Sequence, residues 1–147
     1  MWQHGRMNIE AADAQIRSLL ARIAHLADDG SIEDYLELFT ADAVWQMPAN
    51  EAVGAPADRR EGREDIAAGV RARRESGLQG PGTATRHAII SIDVQVRSAE
   101  LAEAVSYWLF FSDTSTAPRV VSVGRYDDVL HGSDGRWQLA ERTITVG

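Results

Sequence analysis

His4, His25, His87 and His131 are the only side chains in this 147-residue chain that titrate near neutrality without perturbation. His87 stands apart from the other three. It lies in the β-branched run Thr85-Arg86-His87-Ala88-Ile89-Ile90, just after a glycine-rich connector, where a strand end can open into a cavity. His4 falls in an N-terminal segment expected to fray, and His131 in an expected hairpin loop. His25 sits near the end of a helical stripe, where the helix dipole favours a cation. A carboxylate that accepts the Nδ1 proton of a histidine fixes its tautomer and leaves Nε2 free to take a proton from a substrate. Asp28 suits that role because it closes the first apolar stripe two residues before Gly30, so its side chain can turn inward beneath a sheet. Spacing alone leaves two bland alternatives open: Asp28 as an ordinary helix C-terminal residue, and His87 as a satisfied strand histidine.

Composition removes several chemistries at once. With no cysteine there is no thiol nucleophile, thiolate metal site or redox pair. All 15 basic residues are arginine, so no lysine Schiff base can form. A net charge of −7 makes the chain a poor nucleic-acid reader, which implies no nucleic-acid partner. The one arginine cluster, residues 58–75, interleaves six arginines with five carboxylates and reads as a solvated helix face. Apolar stretches fall short of the ~18 residues a membrane span needs, and the first six residues lack the apolar core of a secretion signal. A soluble cytoplasmic protein without a membrane partner is the expectation.

Other templates fail. Val120-Val121-Ser122-Val123-Gly124 lacks the first glycine of a nucleophile elbow. No histidine pair has helical or alternate-strand spacing, which implies no local metal site. Gly77, Gly80 and Gly82 do not follow a strand and are interrupted by Pro81, against phosphate cradling. Asp127-Asp128 reads as a solvated strand edge.

The elements that must position His87 follow from periodicity. Ile9, Ile16, Leu19, Leu20, Ile23 and Leu26 recur at helical spacing and predict a helix over residues 10–28. Ser31-Ile32-Glu33-Asp34 has the form of a capping box, with Tyr35, Leu38 and Phe39 as the apolar face of a second short helix. Residues 43–47 form a short strand candidate, 49–61 an irregular loop and 64–75 a third helix. Four strand-like runs then occupy residues 85–96, 104–113, 119–130 and 136–146, separated by short polar breaks. Helices first and a meander afterwards predict one α+β domain over residues 1–147, with helices covering one face of a curved, mostly antiparallel sheet. Both faces of residues 104–111 are largely apolar, so a second subunit is expected on the face away from the helices. A homo-oligomer, dimer or trimer, is anticipated.

Residues 28–45, from Asp28-Asp29-Gly30-Ser31 through Asp42-Ala43-Val44-Trp45, resemble the opening of SnoaL-like proteins of the nuclear transport factor 2-like superfamily. Gly124-Arg125-Tyr126-Asp127-Asp128 followed by Asp134-Gly135-Arg136-Trp137 is similar to its closing hairpin. The resemblance covers roughly residues 9–146 and implies a cone-shaped α+β barrel with a deep pocket between sheet and helices. Scytalone dehydratase, hexachlorocyclohexane dehydrochlorinase and bile-acid dehydratase use an aspartate ending the first helix and a histidine starting a strand after the third, positions that match Asp28 and His87. Pocket positions carry over to Trp45, Met47, Trp108, Phe110 and Tyr126. The dehydratase's two carbonyl-directed tyrosines are replaced here by Ala27 and Met47, and its second pocket histidine has no counterpart. Tyr126 or an ordered water is then left to polarise a substrate carbonyl.

The resemblance implies a lyase or isomerase working without cofactor or metal on a small hydrophobic or aromatic substrate. It also allows a polyketide cyclase, or a non-catalytic ligand-binding or assembly subunit like the small subunit of ring-hydroxylating dioxygenases.

Overall fold

The computed structural model describes residues 8–147, so the expectation that His4 frays lies outside the described residues. Helix α1 (Ile9–Asp29) opens on Asn8, whose side chain accepts the Ala11 N–H, and closes on Gly30, whose N–H bonds the Leu26 carbonyl. A Cβ at Gly30 would strike Leu26, which explains the glycine. Ile16, Leu19, Leu20 and Ile23 are fully buried along one stripe, each contributing about 1.5–3 kcal/mol by leaving water. Ser31 caps α2 (Ile32–Leu36) by accepting the Asp34 N–H at 3.1 Å, the bond its spacing predicts.

The chain then enters β1 (Phe39–Met47), four residues earlier than expected. Phe39 therefore belongs to the sheet and not to the second helix. It is fully buried and sits opposite Leu139 of the last strand, and burial there outweighs the helical spacing it shares with Tyr35. After a single turn of 3-10 helix (Glu51–Val53) comes β2 (Asp58–Glu61), an edge strand where a loop was expected. All four of its residues are charged, so it carries no apolar signal. It is held by backbone pairing to β1 and by alternating Arg59–Glu61 and Arg60–Asp58 ion pairs, and charge suits an open edge.

Helix α3 (Arg63–Glu75) packs on β1 and β2, while α1 lies along β3 (Arg86–Val96). Long hairpins connect β3 to β4 (Leu101–Ser112), β5 (Arg119–Ser133) and β6 (Arg136–Val146). The strand order β2-β1-β6-β5-β4-β3 is antiparallel throughout except for the parallel β1–β6 pair. The result is a curved six-stranded sheet under three helices, open between β2 and β3 and so not a closed barrel. The core lies between its concave face and α1. His131 is on strand β5 and not in a loop, although it is exposed as expected.

The arginine cluster is not a simple solvated face. Arg71 points to water, but Arg60, Arg73 and Arg74 are half-buried. Arg74 Nη2 donates to the Leu26 and Ala27 carbonyls at 3.1 and 3.3 Å, placing a cation on the carbonyls that end α1. Gly80, at φ +106°, leaves the room this needs, since a Cβ there would lie 2.7 Å from Arg74 Cγ. The convex face of the sheet carries exposed Ile90, its register partner Tyr107, and Val123. No helix among the described residues is long and apolar enough to cross a membrane.

Candidate functional site

The end of α1 and the start of β3 meet at Asp28 and His87. Asp28 Oδ1 lies 2.7 Å from His87 Nδ1, and Oδ2 accepts the His87 backbone N–H at 3.0 Å. The next residue, Asp29, pairs with Arg86 at 3.1 Å and reinforces the same junction at the surface. A carboxylate oxygen accepts, so this contact favours the neutral tautomer with the proton on Nδ1, which leaves the Nε2 lone pair free. The Asp28 side chain is 5% exposed and that of His87 14%. The Phe110 ring packs against the imidazole at 4.7 Å between centroids and fixes its plane.

His87 lines a cavity of about 180 Å³ between α1, α3 and the concave face of the sheet. Trp45, Met47, Trp108, Phe110 and Tyr126, the five positions expected from resemblance, all line it too, joined by Ile23, Ile89 and Ile144. Asp28 stands behind His87 and is not itself part of the wall. Trp108 and Tyr126 stack at 6.0 Å, and the indole lies over Gly124, its register partner across β4 and β5. A Cβ at Gly124 would overlap both that indole and the Thr145 carbonyl oxygen. Ser106 Oγ–H and Trp108 Nε1–H in this region have no partner among the described residues.

Polar groups that line the cavity without having been anticipated include Arg142, Tyr35 and Arg73. Arg142 forms a bidentate pair with Asp128 at 2.8 and 2.9 Å, and its guanidinium carbon sits 3.8 Å from the Tyr126 ring centroid. Both residues of the pair are buried, so Asp128 is no solvated edge. Strand parity carried the signal, since Gly124, Tyr126, Asp128 and Leu130 share one inward face. Burial opposes the Arg142 charge, yet the touching Asp128 carboxylate more than offsets it and raises the guanidinium pKa. Tyr35 and Arg73 also reach the cavity, from α2 and α3. Burial pushes the Tyr126 phenol up to about 12 and raises that of Tyr35 as well, so both hydroxyls keep their protons at neutral pH. The arrangement can therefore accept one proton at Nε2 and offer hydrogen bonds from two phenols to a developing oxyanion.

A family model described as a SnoaL-like domain matches residues 10–143. No curated protein matches. Among solved structures, a Catenulispora acidiphila protein in complex with S-DNPA is 26% identical, with 93% of this chain and 94% of that one covered and a TM-score of 0.74. A candidate scytalone dehydratase from Novosphingobium aromaticivorans shares 17% identity over 92% of this chain and 84% of its own, with a TM-score of 0.70. The beta subunit of a candidate aromatic-ring-hydroxylating dioxygenase from the same organism shares 22% identity over 94% and 90%, with a TM-score of 0.72. Likeness at the last two levels speaks for the fold alone.

Proposed function

This chain belongs to the SnoaL-like family, and we propose that it is a lyase or isomerase whose general base is His87 and whose positioning carboxylate is Asp28. The observation that supports this most is the 2.7 Å contact between Asp28 and Nδ1 of a histidine whose ring lines an apolar cavity. Nε2 removes a proton from a carbon made acidic by a neighbouring carbonyl, phenol or halide. The electron pair left on that carbon forms the new double bond as halide departs from the adjacent carbon, or as hydroxide departs and takes the proton back from the imidazolium to leave as water. In the isomerase version it is reprotonated elsewhere. The imidazolium formed is stabilised by the Asp28 carboxylate, and Tyr126 and Tyr35 donate to the oxygen on which charge grows. No step calls for a cofactor.

The cavity suits a small hydrophobic or aromatic molecule. An apolar cavity of ~150 Å³ accepts benzene, so about 180 Å³ corresponds to one ring with a substituent. Turnover of a panel of aromatic and alicyclic alcohols, halides and enones tests the reading. His87→Ala and Asp28→Asn should each lower it by ~10²–10⁴-fold while leaving the fold intact. Full activity in both variants removes the mechanism. A ligand-binding or assembly subunit is the second reading, favoured by the structural likeness to a dioxygenase beta subunit, and it predicts indifference to His87 substitution.

A further inference from the structure

Arg73 lines the cavity with a guanidinium that has no hydrogen-bond or ion-pair partner among the described residues. Each neighbouring arginine has at least one protein partner. Arg142 is closed by Asp128, Arg60 by Asp58 and Asp65, and Arg74 by the carbonyls of Leu26 and Ala27. Arg73 instead sits over an aromatic face, its guanidinium carbon 4.8 Å from the Trp45 ring centroid. That contact occupies the flat of the group and leaves its N–H edge for a partner. One helical turn earlier, Gly69 supplies room, since a Cβ there would lie 3.2 Å from Arg73 Nη1. Burial lowers the Arg73 pKa from its ordinary value, a cost that no protein carboxylate in contact offsets. A counter-charge brought by a ligand would offset it.

We propose that Arg73 sets the specificity of this cavity by pairing with the carboxylate of a ring-bearing carboxylic acid. The planar fork of a guanidinium matches the two oxygens of a carboxylate. One ring with such a group fits the cavity volume. Asp28, behind His87, repels the same carboxylate, so the ring and not the acid group is presented to Nε2. This inference rests on the cavity being a substrate pocket, but it concerns recognition and not proton transfer.

The test is binding of benzoate and cinnamate against benzamide and cinnamamide, followed by tryptophan fluorescence. The wild-type protein should prefer each acid to its amide by about tenfold or more, as a charge-assisted hydrogen-bond pair provides. Arg73→Gln should abolish the preference, and Arg73→Lys, which keeps the charge, should retain part of it. His87→Ala should keep it in full. Absence of binding by both acids, equal binding of acid and amide, or a preference that survives Arg73→Gln overturns the proposal. Turnover unaffected by His87→Ala would instead overturn the acid–base reading and leave the Arg73 preference standing.

Discussion

Both carboxylate oxygens of Asp28 are engaged by the same residue, one by the His87 ring and the other by the His87 backbone N–H. The backbone contact fixes where the carboxylate lies, and the ring contact then fixes which nitrogen carries the proton. Asp28→Asn separates the two. The amide oxygen still accepts from the backbone, but its NH₂ donates toward Nδ1 and drives the proton to Nε2, where it blocks the base. Imidazole ¹⁵N NMR should report protonated Nδ1 in the wild type and protonated Nε2 in Asp28→Asn. The same tautomer in both proteins would mean that Asp28 does not control it.

Alkaline pH should weaken the fold through Tyr126. Its phenol has a pKa of about 12 in the folded state against 10.0 for the free group. Below pH 10 the phenol is neutral in both states and its contribution is fully present. Between 10 and 12 the unfolded chain ionises while the folded one does not, so stability falls as pH rises through that window. The loss approaches about 3 kcal/mol at the linkage rate of ~1.4 kcal/mol per unit. Denaturant unfolding across this range should show the slope in the wild type and a shallower one in Tyr126→Phe. Identical slopes would contradict the buried phenol.

Asp128→Ala should be among the most damaging single changes. It strands the buried Arg142 guanidinium without a counter-ion, a loss of about 3–5 kcal/mol, visible as a lower unfolding midpoint. Replacing both residues, as Asp128→Leu with Arg142→Met, should recover much of that loss because neither charge then has to be desolvated. A single variant as stable as the wild type would show that the pair is not buried in solution.

The convex apolar face predicts self-association. Ile90, Tyr107 and Val123 stay exposed there, and covering them with a second copy would bury them. Sedimentation equilibrium should give a multiple of the chain mass, and Tyr107→Glu should shift it toward the monomer. A wild-type monomer at high concentration would rule this out.

The route from sequence to site was most direct where local pattern and tertiary position agree. Asp28 ends a helical stripe and His87 starts a strand after a glycine-rich connector, and both facts survive folding unchanged. Gly80 in that connector turned out to accommodate Arg74, which caps the helix carrying Asp28. Arg142 was hidden by a shift in β6. Leu139 pairs with Leu130 and Glu141 with Val129, so Ala140 is an extra residue that reverses the alternation and turns Arg142 inward. Asp128 kept in phase with Tyr126 and Leu130, but its charge suggested solvent until its cross-strand partner was known. Arg73 reads as one of several helix-surface arginines, because nothing local distinguishes the inward ones. β2 has no apolar residue at all and exists through its pairing with β1.

In the proposed reaction His87 Nε2 takes a proton from carbon inside the cavity. Incubating the protein in D₂O with aromatic and alicyclic ketones, and following deuterium entry beside the carbonyl by NMR, measures that transfer whether or not elimination follows. Exchange well above the buffer rate is expected with the wild-type protein and exchange at the buffer rate with His87→Ala. Equal exchange by the two proteins would contradict it.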